Sequence, residues 1–142
     1  MELYQNTYVK ILLDNVHRII EMAWSAQAPE MEDEDFKQIF LTYAALTEQY
    51  NPMALLVHNQ SVPYVVRPHL QEWLDQNITP RTIQAGLNFV AIVVVGNDIL
   101  AKVASELLMQ EPNTRKLQTR FFDDVAVARK WLIVQTGLLL KK

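Results

Sequence analysis

The chain of 142 residues has no cysteine, only three glycines and a charged fraction of 20%. The absence of cysteine excludes disulfides, thiolate metal sites and cysteine nucleophiles. The glycines, Gly86, Gly96 and Gly137, are too widely spaced for a GxGxxG turn or a P-loop. With 50% apolar residues the chain is globular in composition, and its length suits a single domain over residues 1–142.

The chain also lacks a long hydrophobic run. Its longest unbroken apolar stretch is Phe89–Val95, whereas a membrane span needs roughly 20 apolar residues. The first ten residues are polar and lack the basic-then-apolar order of a signal peptide. We therefore expect a soluble, cytoplasmic protein that does not insert into membranes.

The net charge of -3 is small, but it is unevenly distributed. The first 36 residues hold 8 acidic and 2 basic side chains, while the last 31 hold 2 acidic and 7 basic ones. The basic residues are scattered over several predicted elements, without interleaved aromatics or a nucleic-acid-binding motif. The sequence therefore predicts no nucleic-acid partner.

The N-terminal segment reads as a β-hairpin. Thr7–Leu13 and Arg18–Trp24 are rich in β-branched and aromatic residues, and Asp14-Asn15 between them is a turn pair. Phe36, at the start of the next segment, begins an apolar stripe with helical spacing, and Asn51-Pro52 ends that helix.

The rest of the chain alternates between helix and strand patterns. The predicted elements are a strand Met53–Val57, a helix Pro68–Gln76, a strand Asn88–Val95, a helix Ile99–Leu108, a strand Leu117–Phe122 and a helix from Val125. Asn77–Arg81 reads as a turn, and Gly137 as the residue after the last helix. The alternation predicts an α/β fold: a mixed sheet of about five strands, an N-terminal hairpin then parallel strands, with about four helices.

Three short motifs carry a family resemblance. The hairpin ends in Glu21–Trp24, an apolar strand contains Ala91–Val94, and the chain closes on an F-x-D-x-x-x-A-x-x-W-L pattern. That closing pattern consists of Phe122, Asp124, Ala128, Trp131 and Leu132. In these features, and in element order over roughly residues 8–134, the chain resembles the SpoIIAA-like bacterial family of STAS-type proteins.

The resemblance implies a non-enzymatic regulatory or interaction module, without catalytic residues or a cofactor, which binds a protein partner or forms a homodimer. In related anti-sigma-factor antagonists a serine after a core strand is phosphorylated, and the equivalent here is Ser61. The loop reads His58-Asn59-Gln60-Ser61, which departs from the Asp-x-Ser context of that switch. Some relatives resemble SEC14-type lipid-binding proteins, so a carrier of a lipid or another small apolar or anionic ligand is an alternative.

Parallel strands bring their carboxyl ends to one edge, where ligands of open α/β sheets bind. The candidate ligand- or partner-binding residues at that edge are His58, Asn59, Ser61, Asn97, Asp98 and Asp124. The alternative interpretation is that these residues are ordinary helix caps and loop residues without a binding role. A small hydrolase that uses Ser61, His58 and Asp98 or Asp124 is a further alternative, but no G-x-S-x-G motif supports it.

The acidic cluster before the Phe36 helix has two interpretations. Its members are Glu30, Glu32, Asp33, Glu34 and Asp35. Carboxylates stabilise a helix N-terminus, and they also attract hard cations. We favour the first interpretation and expect no metal site, since the three histidines also lack metal-binding spacing.

The C-terminal leucines, Leu138, Leu139 and Leu140, need cover at a free end of the chain. They either dock on this domain or bury against a second subunit. The sequence therefore predicts self-association, most simply a homodimer.

Overall fold

A computed structural model describes residues 1–59, 66–94, 103, 106–107 and 110–141. In this part of the chain six strands form one sheet whose strand order follows the chain order. They are β1 (Glu2–Gln5), β2 (Val9–Asp14), β3 (Ile19–Trp24), β4 (Ala54–Asn59), β5 (Phe89–Val93) and β6 (Gln118–Phe122). β1, β2 and β3 pair antiparallel, and β3 to β6 pair parallel. The predicted mixed α/β sheet is confirmed, with one strand more than the five expected.

Four α-helices lie entirely within the described residues: α1 (Asp33–Tyr50), α2 (Pro68–Asn77), α3 (Thr79–Gln84) and α4 (Val125–Leu140). α1 begins with a capping box between Glu32 and Asp35, which satisfies backbone N–H groups that have no partner within the helix. α4 begins at Asp124, whose Oδ1 accepts a hydrogen bond from the Val127 N–H at 3.1 Å. α1 ends at Asn51 in the left-handed conformation, with φ 51°.

The two faces of the sheet carry separate hydrophobic cores. In β3 the side chains alternate, so Ile20 and Met22 face α1 while Ile19 lies on the α4 side. Buried members of the α1 core include Ile11, Phe36, Ile39, Tyr43, Leu55, Leu70 and Val90. The α4 core consists of Ile19, Ala54, Leu56, Phe89, Ala91, Val93, Ala128 and Leu132.

A buried carboxylate fixes the segment that leads into β6. Asp75 of α2 is 3% exposed. Its Oδ1 accepts hydrogen bonds from the backbone N–H groups of Asn113 and Thr114, at 2.9 and 2.7 Å, and from the Thr114 hydroxyl at 2.9 Å. Hydrogen bonds of this kind compensate for the burial of the charge.

Several element boundaries differ from the sequence prediction. β4 continues to Asn59 instead of ending at Val57, and the predicted turn around Pro80 is the start of α3. α4 continues past Gly137 because Thr136 is buried and Leu139 packs against the α4 core. The helix predicted over Ile99–Leu108 lies for the most part outside the described residues.

Candidate functional site

The inner face of α4 packs closely on the parallel strands. Ala128 and Leu132 are both fully buried, at 0% exposure. Beside them the Trp131 ring contacts Phe122 and Phe89, with ring centroids 5.6 and 6.3 Å away. This side of α4 is therefore an ordinary part of the core, as the closing sequence pattern predicts.

The outer face of α4 is also apolar. Val127, Val134 and Leu138 are 56%, 48% and 55% exposed. Their spacing of seven and four residues places them on one line along the helix, which we call the α4 outer stripe. Of the nine large hydrophobic side chains that are exposed in the described residues, four lie on α4. A helix with apolar side chains on both its inner and its outer side is normally covered on both sides.

The three C-terminal leucines, predicted to self-associate, lie in the last turn of α4. Leu138 belongs to the outer stripe, whereas Leu139 packs against the α4 core. Leu140 is 56% exposed, but it projects about 200° around the helix from Leu138. Only Leu138 of the three therefore contributes to the outer stripe.

A cluster of charged side chains joins the N-terminal half of α4 to β3 and β4. Glu21 of β3 lies between Arg129 and His58. Its Oε1 accepts from the Arg129 guanidinium at 2.5 Å, and its Oε2 is 2.7 Å from His58 Nε2. The side chains of Glu21 and His58 are 15% and 11% exposed, and that of Arg129 is 35% exposed. The cluster thus anchors α4 through polar contacts as well as apolar ones.

Two opposing effects set the pKa of the Glu21 carboxyl. Burial raises this pKa, because the charged form loses water. Hydrogen bonds and electrostatic interactions with His58 and Arg129 lower it by more, and the net pKa lies below the usual value. Glu21 is therefore held as a carboxylate, with both of its oxygens engaged.

A shallow depression of about 530 Å³ lies next to this cluster. Its lining consists of Met1, Leu12, Leu13, Asp14, Asn15, Glu21 and Arg129. It combines the side chain of Leu12 with one guanidinium group and two carboxyl groups, since the Leu13 side chain is buried in the α1 core. Such a lining suits a small amphipathic molecule better than a purely apolar one.

Three of the residues predicted at the carboxyl edge of the sheet, His58, Asn59 and Asp124, lie within the described part of the chain. His58 lies within β4 and its side chain contacts Glu21, while Asn59 is the last residue of β4. Asp124 is occupied as the N-cap of α4. Ser61, Asn97 and Asp98 lie outside the described residues, so the predicted phosphorylation at Ser61 and the predicted hydrolase group stay predictions.

The acidic cluster at the start of α1 forms caps and ion pairs. Asp33 pairs with Arg67, and its Oδ2 is 2.6 Å from His69 Nε2 at the start of α2. The hydrogen bond from His69 is the main cause of a lowered Asp33 pKa. Among the described residues no group of three acidic or histidine side chains could hold a metal ion.

Two features escaped the prediction from sequence. The first is the pairing of Glu21 with His58 and Arg129, for which a signal existed: Glu21 is the sole charge in an apolar strand, and a buried charge requires a partner. The second is the α4 outer stripe, which a helical projection of residues 125–140 would have revealed.

Comparison of the chain with protein-family models, with curated proteins and with solved structures finds no match. None of the helices within the described residues has both the length and the apolarity to cross a membrane.

Proposed function

We propose that the protein is a non-enzymatic interaction module of the SpoIIAA-like, STAS-type kind, which works by associating with a second copy of itself. The observation that carries this proposal is the α4 outer stripe. Val127, Val134 and Leu138 expose about half of their surface to water, although the opposite side of the same helix already fills a core.

The surface chemistry of α4 supports association. Arg129 and Lys130 are the charged residues between positions 125 and 140, and Arg129 is engaged by Glu21. Lys130 is therefore the single charge beside the outer stripe. Interface centres are typically depleted of charge and rich in apolar and aromatic side chains, and Trp131 flanks the stripe.

Size-exclusion chromatography with light scattering tests the proposal. We expect the wild-type chain to exceed the monomer mass of 16.4 kDa at high concentration, and Val134→Lys to elute as a monomer. Leu41→Lys is the matched control: it replaces a leucine that is 39% exposed on the outer face of α1, and it should leave the mass unchanged. A wild-type chain that stays monomeric up to millimolar concentration contradicts self-association.

A second candidate function is the carriage of a small amphipathic anion in the depression beside Arg129. Glu21 accepts from one N–H of the Arg129 guanidinium, and the remaining N–H groups would face the anionic group, with Leu12 beside the apolar part of the molecule. Native mass spectrometry with short-chain fatty acids tests this candidate. A mass shift in the wild type that is lost in Arg129→Gln supports it, and equal binding by both proteins contradicts it.

A further inference from the structure

The distribution of charge along α4 determines how two copies can pair. Asp123 and Asp124 lie at the N-terminal end, both exposed, and Lys141 is exposed at the C-terminal end. Lys130, also exposed, lies between these ends. The helix therefore has an acidic end and a basic end, and the charges between them are Arg129, which Glu21 engages, and Lys130.

From this order we infer that two copies associate through α4 in antiparallel orientation about a two-fold axis. The inference rests on the proposed function, and it specifies the geometry of that contact. An axis that crosses α4 between positions 132 and 133 brings residue i of one copy opposite residue 265 − i of the other. The apolar side chains then meet each other, Val127 opposite Leu138 and Trp131 opposite Val134.

The same axis also pairs the charges. Asp124, which caps α4, lies level with Lys141 of the second copy, and Asp123, one residue further along, lies close enough to pair with that lysine. The two-fold axis repeats this pair at the other end. Lys130 lies level with Gln135, a neutral residue. A parallel arrangement would place Asp124 against Asp124, Lys130 against Lys130 and Lys141 against Lys141, so that every charged position would face its own kind.

The helix dipoles favour the same orientation, because the partial positive N-terminus of each α4 lies beside the partial negative C-terminus of the other. From Asp124 to Lys141 the helix spans about 25 Å. A contact between two helices of this length is smaller than a standard interface of about 1,600 Å². We therefore expect a reversible dimer whose proportion decreases on dilution.

A charge-swap series tests the orientation. Asp123→Lys and Lys141→Glu should each weaken the dimer about 3- to 10-fold in sedimentation equilibrium, and the double variant should restore the wild-type dissociation constant. The combination of Asp123→Lys with Lys130→Glu is the matched control, since it has the same net charge but does not pair across the axis. It should show no recovery.

Cross-linking provides a second measurement, which does not depend on the strength of the dimer. The chain has no cysteine, so an introduced cysteine is the sole thiol. A short bis-maleimide should join a mixture of Val127→Cys and Leu138→Cys chains into mixed dimers more efficiently than either variant alone. A dimer in which each variant links to its own kind overturns the antiparallel inference but leaves self-association intact, whereas a monomer under all conditions overturns both.

Discussion

α1 and α4 cover opposite faces of the same sheet, but only α1 has a surface suited to water. Each helix exposes six residues. On α1 these are Glu34, Gln38, Leu41, Ala45, Glu48 and Gln49; on α4 they are Ala126, Val127, Lys130, Val134, Leu138 and Leu140. Four of the six are polar on α1 and one of the six on α4.

On the inner faces, by contrast, α1 contributes the larger buried side chains. α1 contributes large side chains to its core, including the fully buried Phe36, whereas the fully buried side chains of α4 in its core are those of Ala128 and Leu132. α4 is held in addition by the charged cluster around Glu21. The side chains that a helix buries against the sheet therefore do not determine how polar its outer face is. The outer face of α1 is mostly polar, so it needs no cover from a second chain.

The largest effect should come from the α1 core. Phe36→Ala removes a fully buried ring that contacts Phe40, with ring centroids 4.7 Å apart. We expect the free energy of unfolding to fall by about 3–5 kcal/mol, measured by urea denaturation at fixed protein concentration. Leu41→Ala, on the outer face of the same helix, should change it by less than about 0.5 kcal/mol. Similar losses for both variants would refute the division between the two faces of α1.

The next effect concerns the polar anchor of α4. Glu21→Gln removes the charge that engages His58 and Arg129, and we expect a loss of about 1.5–3 kcal/mol in the free energy of unfolding at pH 7. Hydrogen exchange should show this loss as weaker protection in α4 than in α1.

The Glu21 carboxylate should also make the stability of the protein depend on pH. Because the folded pKa of Glu21 lies below the unfolded value near 4.5, its contribution to stability is present above that pH and disappears as the pH falls through the folded pKa. Wild-type stability should therefore decrease more steeply below pH 4.5 than that of Glu21→Gln. Glu48→Gln, which removes an exposed partner of Arg81, is the control and should keep most of the wild-type slope. Parallel pH profiles for wild type and Glu21→Gln would contradict the role of the cluster.

The smallest effect concerns two buried threonines, one on each helix. Thr47 of α1 and Thr136 of α4 each donate a hydrogen bond to the carbonyl four residues earlier, at 2.8 and 2.9 Å. Each threonine hydroxyl therefore adds a second hydrogen bond to a carbonyl of its own helix.

Thr47→Val and Thr136→Val should each change the free energy of unfolding by less than about 1 kcal/mol, because the carbonyl that loses the threonine hydroxyl keeps its backbone hydrogen bond within the helix. Thermal unfolding of the two variants side by side measures both effects. A much larger loss for either variant would show that its hydroxyl contributes more than this local hydrogen bond.

The sequence predicted the parallel strands and α1 because their periodicity is strong. β3 alternates cleanly, with Ile20 and Met22 on one face, and β5 is apolar on both faces. β1 was missed because its four residues, ELYQ, lie at an edge of the sheet where no regular burial pattern is imposed.

Elsewhere tertiary contacts outweighed the local signals. A glycine within a helix costs about 1 kcal/mol, which made Gly137 a reasonable end for α4. Packing of Thr136 and Leu139 overcomes that cost.

The charged cluster could not be read from local patterns, because its members are far apart in the chain. Arg129 and Glu21 are 108 residues apart, and their contact depends on how α4 lies across the sheet. The register between β3 and β4, which pairs Ala23 with His58, cannot be deduced from the sequence either.

The strand order has a consequence for biosynthesis. Since each strand pairs with the one that precedes it in the chain, a nascent polypeptide can enlarge the sheet one strand at a time as it leaves the ribosome. No inner position has to be kept open for a strand that is still untranslated. α4 follows β6 in the chain, so the surface proposed for pairing with a second copy is synthesised only after all six strands of the sheet.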